Sequence, residues 1–286
     1  MSDLLSLDDV ADRLGVHYMT AYRYVRTGRL PARKVGATWR VRPEDLDRFR
    51  APEPAPAATG RRRADYARRL EDRLVAGDEA GAWTVVQAAL AAGIDPDELY
   101  VEVLGSALAA IGDAWAAGAI SVAQEHRASV VAQRLIGRLG PLFARRGRKR
   151  GTIVLGAPPG DHHGLPSALL ADLLRGDGFV VTDLGADTPE WSFVETARDA
   201  DRLLAVGLSV TTEGNDDAVR RTIDALRQGV EAPIVVGGRA VHSERHARLL
   251  GADHWSRSAD DARALFARLA DEAGRARRRA SRAASA

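Results

Sequence analysis

The stretch TIVLGAPPGDHHGLP, residues 152–166, joins an apolar run to a polar loop and then to the beginning of a helix. The run 152–157 has the length and composition of a buried strand. In an α/β fold, ligands bind at the loop that follows the carboxyl end of such a strand. Here the loop places Asp161 two residues before His163, and a carboxylate there orients one imidazole nitrogen and frees the other to ligate a metal. From this loop alone, a metal ligand and a solvated pair of histidines are equally good interpretations.

Strand and helix patterns continue to alternate after this loop. The fold class predicted for residues 151–273 is a doubly wound, Rossmann-like parallel sheet of five strand–helix units. The strand candidates lie at 152–157, 179–184, 203–210, 233–237 and around His254-Trp255, and the helix candidates at 167–176, 190–200, 215–228, 240–250 and 259–273. Residues 274–286, with five arginines and many alanines, are expected to form a disordered basic tail.

Composition limits the chemistry that this chain can perform. Its 286 residues carry a net charge of +2 and include no cysteine. Disulfides, zinc–thiolate sites and thiol nucleophiles are therefore excluded, and histidine and carboxylates are the strong metal ligands that are left. We find no signal-peptide pattern and no apolar run of membrane-spanning length. A soluble, cytoplasmic protein without a membrane partner is expected.

Residues 64–143 show helical periodicity throughout. Short connections between the helices predict an antiparallel four-helix bundle. The helices are expected near 66–76, 79–92, 97–117 and 121–139. Trp115 ends the third helix and Glu125-His126 lies in the first turns of the fourth, so the short turn brings these side chains to one end of the bundle. In isolation, a buried tryptophan beside an exposed Glu-His pair is the plainer interpretation.

Residues 1–50 follow the plan of a winged helix-turn-helix: helix, tight turn, helix, short β-ribbon and a third helix. No carboxylate occurs between Asp12 and Glu44, whereas eight arginines and lysines do. A field of one sign on the second helix and the wing suits a phosphate backbone. The candidate DNA-binding residues are Thr20, Tyr22, Arg23, Arg26, Lys34, Trp39 and Arg40.

This head resembles the excisionase and MerR-type DNA-binding heads over residues 4–50. A Pro-rich stretch beginning at Ala51 predicts a stiff linker over 51–63.

Three loops at the carboxyl ends of the predicted sheet together resemble the cobalamin-binding domains that hold the cofactor base-off. Their pattern is Asp-x-His-x-x-Gly, then Ser-x-Thr, then Gly-Gly. The resemblance implies that His163 is the lower axial ligand of cobalt and that Asp161 is its hydrogen-bonding partner. It assigns the displaced dimethylbenzimidazole and the nucleotide tail to the two later loops, at Ser209, Thr211, Gly237 and Gly238. Pro166 departs from the pattern, since it stands where the family has glycine.

The Trp-x9-Glu-His spacing of the bundle is similar to the cap signature of the CarH/LitR light-dependent transcriptional regulators. By that resemblance, Trp115, Glu125 and His126 surround the adenosyl group on the upper face of adenosylcobalamin. The family implies a DNA-binding regulator, a repressor rather than an enzyme. It also implies a homotetramer on double-stranded operator DNA in the dark, which light dissociates.

Two other functions stay open from the sequence: a corrinoid methyl-carrier module and a cobalamin-sensing regulator without photochemistry. A further departure concerns Ala116. Some light-dependent relatives have a histidine at this position, directly after the cap tryptophan, which takes the vacated upper cobalt position after photolysis. Ala116 has no ligating atom, and His126 is the nearest candidate, so we expect no prompt second axial histidine.

Overall fold

The computed structural model describes residues 4–14, 21–22, 24–25, 30–35, 38–50 and 58–284. The chain divides into two compact units, Met1–Arg61 and Arg62–Ala286, and each is described by itself.

The first unit contains the first and third predicted helices and the ribbon of the head, and the predicted second helix is described at residues 21–22 and 24–25 only. Ser6 caps the first helix: the Asp9 N–H donates to Ser6 Oγ over 3.1 Å, and the Ser6 N–H donates to Asp9 Oδ2 over 2.8 Å. The two strands pair antiparallel, with Lys34 opposite Trp39, which confirms the ribbon. The elements are α1 (Leu7–Leu14), β1 (Arg33–Val35), β2 (Thr38–Arg40) and α2 (Pro43–Arg50), with helical residues at 21–22 and 24–25.

Four helices follow the head along the chain, as predicted. They are α3 (Ala58–Ala76), α4 (Glu79–Ala91), α5 (Pro96–Ala116) and α6 (Val122–Leu139). Residues 58–63, which we expected to belong to the linker, form the first turns of α3 instead. After Pro56 the chain has no further proline until Pro96, and its alanines and arginines favour a helix. Residues 51–57 lie outside the described ranges.

Helix α5 is π-helical over Leu99–Gly105, between α-helical ends at Pro96–Glu98 and Ser106–Ala116. Its buried residues Leu99, Tyr100, Val103 and Leu104 belong to the core of the bundle. In the part of the chain that the structure describes, α5 alone has the length and apolar composition of a membrane span. Of its 18-residue apolar window 33% is buried inside the structure, and its buried residues belong to the core of the bundle.

The five remaining strands form one parallel sheet in the order β4-β3-β5-β6-β7, which confirms the doubly wound prediction. Helices α7 and α11 cover one face, and α8, α9 and α10 cover the other. The strands are β3 (Thr152–Gly156), β4 (Val180–Asp183), β5 (Leu203–Ser209), β6 (Ile234–Gly237) and β7 (His254–Ser256). The helices are α7 (Leu165–Gly176), α8 (Glu190–Asp199), α9 (Asp216–Gly229), α10 (Glu244–Leu249) and α11 (Ala259–Ala284).

Helix α11 extends into the segment that we expected to be a disordered tail. Over 274–284 the structure continues the helix to Ala284, so the predicted disorder of this segment is wrong. Alanine and arginine are among the strongest helix formers, and a single glycine at position 274 does not outweigh them.

Candidate cofactor site

The strand order reverses between β3 and β5, and the loops after these two strands meet there. Asp161, in the loop after β3, is completely buried. Its Oδ2 accepts the backbone N–H of Thr211 over 2.5 Å and that of Thr212 over 3.0 Å. Asp161 therefore ties the two loops together at the switch point, where doubly wound folds bind their ligands.

The other carboxylate oxygen of Asp161 orients His163. Oδ1 accepts the backbone N–H of His163 over 3.2 Å and lies 2.8 Å from its Nδ1. A carboxylate acceptor places the proton on Nδ1, so Nε2 keeps its lone pair. The imidazole side chain is 47% exposed and accessible to a ligand. The arrangement is that of a metal ligand held by a second residue.

The same contacts lower the pKa of Asp161 and raise the pKa of His163. Burial raises the pKa of Asp161, but hydrogen bonds from His163, Thr211 and Thr212 outweigh it and hold that pKa below its ordinary value. The hydrogen bond to Asp161 raises the pKa of His163, although desolvation opposes it. Asp161 is therefore an anion at neutral pH, and it fixes the imidazole.

The neighbouring His162 has a different environment. Its side chain is 78% exposed, and its Nδ1 lies 3.9 Å from Asp187 Oδ2. A carboxylate at hydrogen-bonding distance holds His163, and only a distant one faces His162. The structure thus distinguishes the two histidines in the way that the spacing predicts.

The loop after β4 supports the site and was not predicted. The Gly160 N–H donates to Asp187 Oδ1 over 2.7 Å, and the Asp187 N–H donates to the Asp161 carbonyl over 2.8 Å. Gly160 and Asp187 are both left-handed, at φ +80° and +48°. The sequence signal is weak, since Asp187 is one of several polar residues that follow β4. These bonds join the loops after neighbouring strands and make the His163 loop rigid.

The residues predicted after β5 also lie at this edge of the sheet. Ser209 ends β5 opposite Gly237 of β6. Thr211 contributes its backbone N–H to Asp161. The hydroxyl nearest His163 belongs to Thr212, whose Oγ1 lies 3.4 Å from Nδ1, and the sequence analysis missed it. The roles of Ser209 and Thr211 toward a cofactor stay predictions.

Gly237 and Gly238 have a structural reason to be glycine. A Cβ at Gly238 would lie 2.3 Å from the Val210 carbonyl oxygen, and the residue has φ +105°. A Cβ at Gly237 would lie 2.6 Å from Ser256 Oγ. The Val210 backbone and the positive φ thus require glycine at 238. At Gly237 the near atom is a hydroxyl that can rotate, and the Ser256 carbonyl oxygen lies 3.1 Å from the Cβ position, so the space there is tight. Their place in a nucleotide-tail slot stays a prediction.

The end of the bundle carries Trp115, Glu125 and His126, as predicted. Trp115 is 47% exposed, so the buried-tryptophan interpretation is wrong. Glu125 accepts the Ser129 hydroxyl over 2.7 Å, and its second oxygen lies 2.8 Å from His126 Nδ1. The Ser121 side chain caps α6, the helix that carries Glu125 and His126. An exposed indole beside an oriented carboxylate provides a surface for a ligand.

The bundle end faces the carboxyl edge of the sheet. The charges of Glu125 and Arg239 both act on the pKa of His163, the first raising it and the second lowering it. Arg239 Nη2 also lies 3.7 Å from Asp113 Oδ1, two residues before Trp115. The structure therefore brings the predicted bundle residues and the predicted sheet residues to one site. Arg239, which follows the glycine pair, was missed.

The structure describes four of the seven candidate DNA-binding residues. Lys34, Trp39 and Arg40 lie on the β-ribbon, and Lys34 Nζ is 5.8 Å from the centre of the Trp39 ring. Tyr22 is half-buried and packs against the core of the head. Thr20, Arg23 and Arg26 lie outside the described residues.

Comparison with protein families assigns both parts of this site. Residues 66–139 and residues 151–265 each match a family described as B12 binding domain. The chain carries two B12-binding domains. Residues 4–52 match a family described as helix-turn-helix domain.

Similar proteins include corrinoid proteins of methanogens. Trimethylamine corrinoid protein 1 of Methanosarcina acetivorans is 28% identical over 198 residues, which cover 68% of this chain and 91% of that protein. Dimethylamine corrinoid protein 3 of the same organism is 34% identical over 119 residues, 40% of this chain and 54% of that protein. The structure of the Methanosarcina barkeri monomethylamine corrinoid protein superposes with TM-score 0.59 at 22% identity. It covers 71% of this chain and 97% of that one, and shows the same fold.

The residues of the two B12-binding domains fit a corrinoid. A corrin ring supplies four nitrogen ligands to cobalt, so the protein needs to offer one oriented base. His163 Nε2 is such a base, because Asp161 holds the opposite nitrogen. Among the described residues, no three His, Asp or Glu side chains group as a metal site.

Changing Asp161 to Asn tests the orientation of His163. An amide NH2 facing Nδ1 would favour the wrong tautomer, and the backbone N–H groups of the β5 loop would lose their anionic partner. We expect Asp161→Asn to weaken cobalamin binding by about 10–100-fold, measured by titration of its absorption spectrum. Asp187→Asn is the matched comparison, because its half-exposed carboxylate bonds Gly160 of the same loop rather than His163. We expect a smaller loss in that variant. Equal losses in both variants would contradict the role of Asp161.

Two polar contacts latch the helical B12-binding domain onto the sheet domain. Asp172 of α7 is buried, and it accepts the Tyr100 hydroxyl over 2.8 Å and Arg175 Nη1 over 2.7 Å. Burial, followed by the charge of Asp172, raises the pKa of Tyr100 above its ordinary value. In the second latch, Arg263 donates to Asp97 over 2.6 Å and to Asp177 over 2.7 Å. Both latches hold the amino-terminal part of α5.

Tyr100→Phe removes one hydrogen bond from a buried carboxylate. We expect the second unit to lose about 1.5–3 kcal/mol of unfolding free energy, because hydrogen bonds to charged groups are worth that much. Urea denaturation measures it. Tyr66→Phe, which removes a longer bond of 3.3 Å to the Ala88 carbonyl, is the control and should cost less. The latch is refuted if the two variants are equally stable.

Proposed function

We propose that this protein is a cobalamin-dependent, DNA-binding transcriptional regulator. The observation that carries the proposal is a helix-turn-helix domain in one chain with two B12-binding domains. The ribbon of the head supports it, since Lys34 is exposed and Arg40 lies beside Trp39 on the neighbouring strand. A basic wing serves a phosphate backbone and has no use in a carrier of methyl groups. We also propose a soluble, cytoplasmic protein without catalytic activity of its own.

The finer proposal is a light response through adenosylcobalamin. When bound, this cofactor supplies a cobalt–carbon bond that visible light breaks. Trp115 would pack against the adenosyl group, and Glu125, held by Ser129, would accept a hydrogen bond from it. Contacts that exist only with the adenosyl group present stabilise one arrangement of the helical domain, and their loss releases it.

DNA binding would follow from assembly. One small head binds weakly, whereas several heads on a homotetramer gain avidity for an operator. We propose that the dark tetramer represses transcription and that illumination separates it.

Size-exclusion chromatography with light scattering tests the light response. We expect protein loaded with adenosylcobalamin in the dark to form a larger assembly than the apoprotein or the illuminated protein. DNA shift assays on the same samples should show binding in the dark and loss after green light. Protein loaded with cyanocobalamin is the control for cofactor without an adenosyl group. Assembly that follows cofactor but ignores light would support a cobalamin sensor without photochemistry.

A corrinoid methyl-carrier module is the second candidate, and the names of the similar methanogen proteins favour it. It predicts that the protein exchanges methyl groups with a methyltransferase and does not bind DNA. DNA binding by the full chain in the shift assay above excludes this candidate as the main function.

A further inference from the structure

A positively charged surface lies at the amino ends of the strands, on the edge of the sheet opposite the cofactor site. Two segments supply most of its charge. Residues 144–151 contain five arginines and lysines and no carboxylate, and residues 273–286 contain five arginines and no carboxylate. The rest of the chain holds more carboxylates than basic groups. Charge of one sign is therefore concentrated in these two segments.

The fold brings the two segments together. Arg150 enters β3 from the first segment and donates through Nη2 to the Ala267 carbonyl of α11 over 3.1 Å. The same nitrogen lies 3.3 Å from Asp271 Oδ1. Asp271 precedes Arg275 by one helical turn, so the second segment leaves the sheet where the first segment joins it.

Arg202 holds the first segment in place. Arg202 precedes β5 and donates to the carbonyls of Lys149 and Arg150 over 3.3 and 3.4 Å. Its backbone is left-handed, at φ +53°, which is unusual for arginine. We name this surface the basic edge and define it by the exposed residues Arg145, Arg146, Arg148, Arg202, Arg275 and Arg278.

The last turns of α11 are a helix that an anionic partner would stabilise. Among the side chains of α11 that the structure describes, which extend to Arg278, Ala273 is the last that packs against the sheet core. Beyond it the segment contains only glycine, alanine, serine and arginine. Arg275 and Arg278 stand three residues apart, and like charges at this spacing disfavour a helix by a few tenths of a kcal/mol. A row of phosphates would remove that repulsion.

We propose that the basic edge binds the phosphate backbone of double-stranded DNA. The inference rests on the proposed function, because it adds a second DNA contact to a chain whose head is the first. Duplex DNA offers about one negative charge per 1.7 Å of its axis. That density suits two adjoining segments, 144–151 and 273–286, which together carry ten basic residues and contain no carboxylate. Phosphate contacts carry no sequence information, so the basic edge adds affinity and leaves sequence choice to the head.

Salt titration of DNA binding tests the basic edge. The probe is a fluorescein-labelled duplex of random sequence, and Kd is measured in KCl between about 50 and 200 mM. The edge variant is Arg148→Gln with Arg275→Gln and Arg278→Gln. The matched control removes the same charge from three exposed arginines outside the basic edge: Arg245→Gln, Arg248→Gln and Arg257→Gln. We expect the edge variant to bind more weakly, with a salt slope reduced by about two to three phosphate contacts. The control should keep the wild-type slope.

A head variant, Lys34→Gln with Arg40→Gln, separates this inference from the proposed function. If wild type binds and the head variant is weakened, but the edge variant keeps the full slope, the proposed function stands and the basic edge is refuted. The same titration is repeated with a labelled RNA duplex. If the edge variant loses RNA binding but binds DNA as wild type does, the DNA contact of the basic edge is also refuted. If wild type does not bind duplex DNA at any salt, both fail. The absorption spectrum of bound cobalamin shows that the second unit of each variant is folded, and circular dichroism compared with wild type shows that the head variant keeps its helices.

Discussion

His163→Ala should lower cobalamin affinity by at least about 100-fold, since even residues that only orient a metal ligand are worth 10–100-fold. The variant removes the nitrogen that would reach cobalt. It should not unfold the domain, because the imidazole is half-exposed and Asp161 keeps its bonds to the β5 loop. Absorption titration with adenosylcobalamin measures the loss.

His162→Ala is the matched control, one position away on the same loop. We expect it to bind cobalamin almost as wild type does, because its exposed side chain lies 3.9 Å from the nearest carboxylate. Free imidazole should restore part of the binding to His163→Ala and none to a misfolded protein. Equal cofactor retention by the two variants would overturn the assignment of His163.

Removal of residues 1–57 should abolish sequence-specific DNA binding. Specific complexes are typically about 10³-fold or more tighter than non-specific ones. We therefore expect the affinity for an operator selected from a random pool to fall to the level of unrelated duplex. Residual binding through the basic edge should be strongly salt-dependent. The shortened protein should still bind cobalamin, because its cofactor site lies wholly within the second unit.

Fluorescence anisotropy with operator and scrambled duplexes measures this loss. The absorption spectrum of bound cobalamin on the same sample is the folding control. Undiminished discrimination between the two duplexes would mean that the head has been misassigned.

The sheet was predictable because four of its five strands lie in compact apolar runs, whereas β7 is the short sequence His-Trp-Ser. The run 203–210, for example, becomes Leu203–Ser209. The bundle was predictable for a different reason: its core residues recur with helical periodicity. The π-helical turn of α5 was not, because an apolar segment looks the same in α and π geometry.

The candidate site was predictable only where its residues are neighbours in sequence. Asp161 and His163 stand two positions apart, so their contact could be expected from spacing. The bonds from Asp161 to Thr211 and Thr212 cross about fifty residues, and they follow from the adjacency of β3 and β5. The glycine pair was found but explained incompletely, because the close approach of Val210 depends on strand register.

The π-helical turn sets the rotational phase of α5. Beyond Leu99–Gly105, every side chain points in a direction that an uninterrupted α-helix of the same length would not give it. A residue in a π-helical turn advances the helix by less than the about 100° of an α-helical residue, so regular α-helix of the same length in place of the turn would rotate the following segment. Trp115 would then lie on another side of the helix relative to Asp97 and Tyr100. The number of residues in this turn therefore determines the direction in which Trp115 points. The apolar composition of the segment gives no sign of that constraint.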